Sequence, residues 1–167
     1  VAIAGSINNI GLLHKETGDL EHALEYLLRS YDMYLALDDL NGKALCSGNI
    51  GMIYDKLKRP EKALEYVQKS LEFYTEMGQK KGIGNTYSSL GSIYGSLGDL
   101  SAEEGDKERA NSHYAKALQY FEKSLAFRKE VNDQEGIAIT LNGMGRIYKN
   151  QKNYPKALQY LEQSLQI

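Results

Sequence analysis

The sequence predicts an all-α protein, an α-solenoid of four stacked helix-turn-helix repeats, and three observations carry that expectation. Asn9-Ile10-Gly11 returns as Asn49-Ile50-Gly51 and as Ser89-Leu90-Gly91, with a looser echo at Gly143-Met144-Gly145. The first three of these glycines, Gly11, Gly51 and Gly91, are 40 residues apart, and the tetrapeptide Ala-Leu-Glu-Tyr follows twelve residues after each of the first two, at Ala23 to Tyr26 and Ala63 to Tyr66. Recurrence at a fixed period of this length marks an array in which each unit buries its apolar face on the next. Within a period the spacing is helical: Ile3, Ile7, Ile10 and His14 fall three or four residues apart, as do Ala23, Leu27, Ser30 and Tyr34.

Two helices per repeat follow, and the residues between them have reasons to be there. Gly18 closes the first helix in a left-handed conformation, and Asp19 accepts from free N–H groups opening the second. Pro60 and Pro155 suit the first turn of a helix, where no intrahelical N–H bond is lost. Short polar turns separate the repeats at Asp38 to Gly42, Gly78 to Gly82 and Asn132 to Gly136. First helices are expected near 2–17, 41–57, 81–97 and 135–151, and second helices near 20–37, 60–77, 106–131 and 154–167. The chain reads as a single domain over 1–167, with repeats at about 1–40, 41–80, 81–134 and 135–167. Val1 is not an initiator methionine and the last repeat stops early at Ile167, so a piece of a longer protein is expected.

The third repeat is irregular. From Gly91 to Ala117 is 26 residues where the other repeats use 12, which places fourteen extra residues near 99–112. Gly98-Asp99 and Gly105-Asp106 repeat the helix start of Gly18-Asp19, and Ala110, Tyr114, Ala117 and Phe121 continue one apolar stripe. The second helix is therefore expected to begin near Asp106 and project about two turns beyond its neighbours, with Leu100 to Gly105 bridging back as a loop or short turn. Glu103, Glu104, Asp106, Lys107, Glu108 and Arg109 then form either a protruding finger for a partner or a tolerated surface insertion with solvated charges.

With 42% hydrophobic and 25% charged residues among 167, the composition is that of a globular chain. A net charge of −2 supplies no basic field for nucleic acid, and no stretch approaches the roughly 20 apolar residues that span a bilayer, so neither DNA, RNA nor membrane is expected as a partner. The single cysteine, Cys46, rules out an internal disulfide; Ser6, Thr86 and Thr140 hold its place elsewhere, which makes it a packed small residue. His14, His22 and His113 lie in different contexts with no Asp, Glu or Cys at ligand spacing, so no metal site is expected. Gly82-Ile83-Gly84 follows a helix rather than a strand and is no phosphate cradle. Carboxylate pairs such as Glu103-Glu104 sit on surface segments. No catalysis and no cofactor are expected.

These residues resemble the tetratricopeptide repeat, and the likeness covers nearly the whole chain. Its signature glycine falls at Gly11, Gly51, Gly91 and Gly145 after an apolar Ile10, Ile50, Leu90 and Met144. Its aromatic three residues on is Tyr54, Tyr94 and Tyr148, with His14 as the exception. The second helix carries the small Ala23, Ala63, Ala117 and Ala157, the larger Leu27, Val67, Phe121 and Leu161, then Ser30, Ser70, Ser124 and Ser164. The resemblance implies a right-handed superhelix. The departures are a period of 40 in place of 34 and the lack of the family's tryptophan and terminal proline. The longer period resembles the subgroup found in Pins/LGN, kinesin light chain and the repeat-built sensory regions of bacterial cyclases and histidine kinases.

The resemblance further implies a concave face lined by the first helices, at positions six and three before and one and four after each signature glycine. These positions supply Gly5, Asn8, Leu12 and Lys15, then Leu45, Gly48, Met52 and Asp55, then Asn85, Ser88, Ser92 and Gly95, then Ile139, Asn142, Arg146 and Lys149, with Asn9 and Asn49 bordering the same surface. Amide side chains donate and accept at once, which suits holding the main chain of an extended peptide. For Asn9 and Asn49 an equal alternative is that they order the helix packing. Arg146 and Lys149, one turn apart, favour an acidic stretch of ligand. The carboxylate clamp of chaperone-tail binders is argued against, because Asn8, Leu12, Asn49, Asn85 and Ser89 stand where its cations would be. The leading expectation is a non-enzymatic module, cytoplasmic, binding a peptide or helix of a partner protein. The alternatives are a structural segment that self-associates through its terminal repeats, and a sensory or regulatory region of a larger signalling protein.

Overall fold

The computed structural model describes all 167 residues, Val1–Ile167. Eight helices follow one another without a strand: α1 (Ala2–Glu16), α2 (Leu20–Ala36), α3 (Leu40–Lys56), α4 (Pro60–Glu76), α5 (Lys80–Glu103), α6 (Lys107–Glu130), α7 (Gln134–Asn150) and α8 (Tyr154–Leu165). None is long and apolar enough to cross a membrane. The chain divides into two compact units, Val1–Gln79 with α1 to α4 and Lys80–Ile167 with α5 to α8. In each unit consecutive helices pack as antiparallel pairs of the α-solenoid kind, and the first pair packs on the second.

What joins the two helices of a pair recurs in every repeat. A Cβ on Gly11 would come within 2.9 Å of Leu27, one on Gly91 within 2.8 Å of the Phe121 ring and one on Gly145 within 2.9 Å of Leu161, while Gly51 meets Val67 in the same way. The absent side chain is what lets the second-helix residue reach the first-helix backbone. One turn further along, a buried serine ties the pair. Ser30, Ser70, Ser124 and Ser164 donate to the carbonyls of Ala4, Ala44, Gly84 and Ala138 at 2.7, 2.8, 2.8 and 3.1 Å. The sequence separation is 26 in three of these bonds and 40 in the Ser124 bond, so the extra fourteen residues lie wholly between the bonded pair.

The helix bounds agree with the sequence to within two residues except in the third repeat. Leu100 to Gly105 does not form the expected bridge: α5 runs unbroken to Glu103, and only Glu104 to Asp106 turn the chain. Both α5 and α6 have 24 residues where the other complete helices of the first unit have 15 to 17, so the fourteen residues enter as one heptad on each helix. Seven residues are within about 20° of two full turns, so both apolar stripes stay in phase. The tip accordingly repeats the contact below it. Gly98 abuts the Tyr114 ring as Gly91 abuts Phe121, each partner seven residues away, and Gly98-Asp99 is helix interior rather than a start. Asp99 accepts from Tyr114 Oη at 2.8 Å and from Asn150 Nδ2 at 2.6 Å. Burial and this carboxylate together push the Tyr114 phenol well above its ordinary pKa.

Each of the seven turns contains one residue at positive φ. Glycine fills that place at Gly18, Gly78 and Gly105, but Asp38, Lys58, Asn132 and Lys152 fill the others, with φ of 55° at Lys58 and 60° at Lys152. The left-handed region costs a residue with a Cβ roughly 1–2 kcal/mol. Glycine loses part of this advantage through the freedom it has when unfolded. Lys58→Gly is expected to stabilise the protein by about 0.5–1 kcal/mol, read as a rise in the midpoint of thermal unfolding followed by circular dichroism. A second expectation concerns the inserted heptads. Deleting 100–113 joins Asp99 to Tyr114-Ala115-Lys116-Ala117, the order found in Asn153-Tyr154-Pro155-Lys156-Ala157. The shortened chain is expected to unfold cooperatively with mean residue ellipticity within about a tenth of the parent's, since both stripes stay in register. Deleting only one heptad leaves an apolar overhang and is expected to broaden the transition.

Candidate interaction face

In the first unit the backbones of α1 and α3 approach one another, whereas α2 and α4 meet through long side chains such as Tyr31 and Tyr66, whose ring centroids are 6.1 Å apart. The unit therefore closes on its α1 and α3 side, and these helices line the inner face. In the second unit α5 and α7 approach in the same way. The residues selected from sequence lie on these four helices.

Asn8 is at the floor of the first unit's face, 3% exposed. Its Oδ1 accepts from Asn49 Nδ2 at 3.3 Å and from Cys46 Sγ at 3.5 Å, and its Nδ2 donates to Asn9 Oδ1 at 3.4 Å. A chain of amides thus runs from α3 to α1, with buried Asn8 holding the helices together, Asn49 half-buried and Asn9 exposed. Leu12, Lys15, Met52 and Asp55 are half-buried beside it, and Leu45 presents its side chain to solvent. On the second unit Ser88 is buried, Ser92 half-buried, and Asn85, Asn142, Arg146 and Lys149 are exposed. Ile139, on the same helix as the last three, is an exposed apolar residue.

Cys46 is fully buried between Asn8 and Ser30, and burial pushes its thiol pKa up, which leaves little thiolate. At the start of α6, Asp106, Glu108, Arg109, Ser112 and His113 line a shallow depression. Both ring nitrogens of His113 are inaccessible and without a hydrogen-bond partner, and burial, with Arg109 and Lys116 adding repulsion, holds its pKa below the ordinary value.

The histidines do not all stand apart. At the corner between α1 and α2 the structure brings together His14, Asp19 and His22, with one ligand-capable atom of each within 4.8 Å of the others. The expectation that no carboxylate lies at ligand spacing does not hold, because Asp19 is five residues after one histidine and three before the other. The missed signal was the coincidence of two substitutions, histidine replacing the repeat's tyrosine at His14 and its lysine at His22.

A tetratricopeptide repeat family model matches residues 3–76 and 108–167. The chain belongs to the tetratricopeptide repeat family. The stretch passed over, 77–107, is where the first inserted heptad lengthens α5. Tetratricopeptide repeats are in general protein-interaction modules, typically without enzymatic activity. Among solved structures, BtubC (BKLC) from P. vanneervenii is similar over 98% of this chain and 62% of its own, at 20% identity and a TM-score of 0.65, and shares the fold. The chain thus spans less than two thirds of BtubC. Two structures of MamA match at 17% identity, over 94% and 98% of this chain and 93% and 90% of theirs, with TM-scores of 0.31 and 0.34. No curated protein sequence matches the chain.

Proposed function

We propose that this tetratricopeptide repeat chain is a non-enzymatic binding module that takes a peptide or helix of a partner protein on the inner faces of its units. The observation that carries the reading is the arrangement on α7. Asn142, Arg146 and Lys149 fall three or four residues apart on one exposed stripe, with exposed Ile139 one turn before them. Two cations, an amide and an apolar contact on one helix face suit a peptide carrying an acidic stretch beside an apolar anchor. On the first unit, Asn9 and Leu45 offer an amide and an apolar contact flanking the Asn8 floor. Asn8 acts there as a support, since its carbonyl oxygen is occupied by Asn49 and Cys46.

Selection of a displayed peptide library on the purified chain is expected to enrich peptides with clustered Asp and Glu. Arg146→Glu/Lys149→Glu, both at exposed positions, is expected to weaken those peptides by about tenfold or more with helicity unchanged. Enrichment of neutral or basic peptides, or acidic peptides that bind the double variant equally well, counts against the reading.

Self-association is the second reading, favoured by apolar side chains left exposed on α1 and α8: Ile3 at 68% and Leu13 at 61%, Leu158 at 59% and Leu165 at 86%. Sedimentation at rising concentration tests it, and a chain that stays monomeric argues against it.

A further inference from the structure

We propose that the corner between α1 and α2 is a site for a transition-metal dication of the zinc class, with His14 Nδ1, Asp19 Oδ2 and His22 Nδ1 as its protein ligands. The comparison that isolates this corner is internal to the chain. In the other three repeats the two positions in question hold a tyrosine and a lysine, and the ammonium sits over the ring: Lys62 over Tyr54 at 5.3 Å, Lys116 over Tyr94 at 5.4 Å and Lys156 over Tyr148 at 5.1 Å. The same tyrosines stack on a second-helix tyrosine, Tyr66, Tyr120 and Tyr160, with centroids 5.6, 5.3 and 5.4 Å apart. In the first repeat His14 keeps that stack, 5.3 Å from Tyr26, and His22 takes the lysine's place with its ring 5.4 Å from His14.

Packing accounts for His14, whose imidazole replaces one aromatic ring by another. It does not account for His22, whose side chain is 61% exposed and whose ring turns onto the carboxylate of Asp19. His14 Nδ1 lies 3.3 Å and His22 Nδ1 2.8 Å from the same carboxylate oxygen, Asp19 Oδ2. The cap position of Asp19 holds Arg59 in the second repeat, Asp106 in the third and Asn153 in the fourth, so the carboxylate serves as a helix cap in two repeats and meets a histidine pair at Asp19. Metal–ligand bonds of about 2.0–2.2 Å place tetrahedral ligand atoms roughly 3.3–3.5 Å apart. The triangle therefore needs His22 to open from Asp19 by about half an ångström and the two imidazoles to draw together by at most about 1.5 Å. Rotation of the exposed His22 side chain supplies most of both, with His14 held in its stack on Tyr26.

The donor set decides the class of ion. Two imidazoles and one carboxylate suit Zn2+ and its neighbours, whereas Mg2+ and Ca2+ need oxygen ligands. Three protein ligands leave a fourth tetrahedral position to water, and the partly exposed carboxylate and His22 give the ion a path in. The helix cap uses Asp19 Oδ1, which accepts the His22 backbone N–H at 3.3 Å; His22 Nδ1 lies 2.9 Å from Oδ1 and 2.8 Å from Oδ2, so coordination through Oδ2 requires the ring to leave Oδ1 and leaves the cap in place. Both imidazoles must then carry their proton on Nε2. A bound ion ties the last turn of α1 to the first turn of α2.

Calorimetric titration of the whole chain with Zn2+ at neutral pH tests the site. One equivalent is expected to bind, with Mg2+ and Ca2+ giving no heat, and with Zn2+ raising the thermal unfolding midpoint. His14→Tyr/His22→Lys installs the pair used by the other three repeats, so it is expected to fold and to lose the high-affinity isotherm. Asp19→Asn keeps a good helix cap and is expected to weaken binding by about tenfold or more. His113→Gln is expected to bind as the parent does. A parent chain that takes up no Zn2+, or a His14→Tyr/His22→Lys variant that binds as tightly as the parent, overturns the assignment.

Discussion

Every feature of this chain depends on how closely the two helices of a repeat approach. The signature glycine lets a Leu, Val or Phe of the second helix press onto the first-helix backbone, and the serine one turn on spends its hydroxyl on a first-helix carbonyl. That carbonyl already serves its own helix, so the extra bond uses its second lone pair and satisfies a hydroxyl that would otherwise be buried unpaired. Distance and axial register are thereby set together. In the third repeat the same serine does more: Ser124 also accepts from Arg128 Nε at 3.0 Å, while Arg128 Nη1 reaches Asp133 at 2.7 Å. Arg128 is 5% exposed, and a charge so deeply placed is tolerated because both partners are fixed by neighbouring elements.

The lengthened hairpin of the third repeat shows how that constraint shapes change. Fourteen residues divided equally between two helices preserve the facing stripes, so Ala110 and Tyr114 extend the core of Ala117 and Phe121 instead of disturbing it. The charged residues at the tip, Glu103 through Arg109, remain in solvent, and the one tip ion pair, Arg109 with Glu104, spans 4.0 Å between half-exposed groups and adds little. The insertion lengthens the repeat without altering the packing rule that builds it.

The polar residues of the inner faces divide by what they already bond. Asn8 is committed to Asn49 and Cys46, whereas Asn142, Arg146 and Lys149 stand in solvent. Sequence spacing placed both sets on first helices, because a helix turns by a known angle per residue. It did not separate a support from a contact, because that depends on the neighbouring helix: a cysteine at position 46 and an amide at position 49 of α3 turn Asn8 inward. The same holds at the α1–α2 corner, where two of the three histidines read as separate, His14 and His22, join Asp19 in one cluster once Gly18, at φ of 84°, folds the chain back and caps α2 with Asp19.

The sequence by itself determined the period, the number of helices, their bounds to within two residues outside the third repeat, and the small and aromatic residues that pair them. These are local properties, carried by spacing, caps and prolines that act within a few residues of one another. Tertiary structure decided where the fourteen inserted residues went, which asparagine was buried, and which titratable groups met. Gly98-Asp99 carries the same local signal for a helix start as Gly18-Asp19, and only the Tyr114 ring against Gly98 and the bonds from Tyr114 and Asn150 to Asp99 make it helix interior. Where two local readings have nearly equal free energy, long-range packing chooses between them.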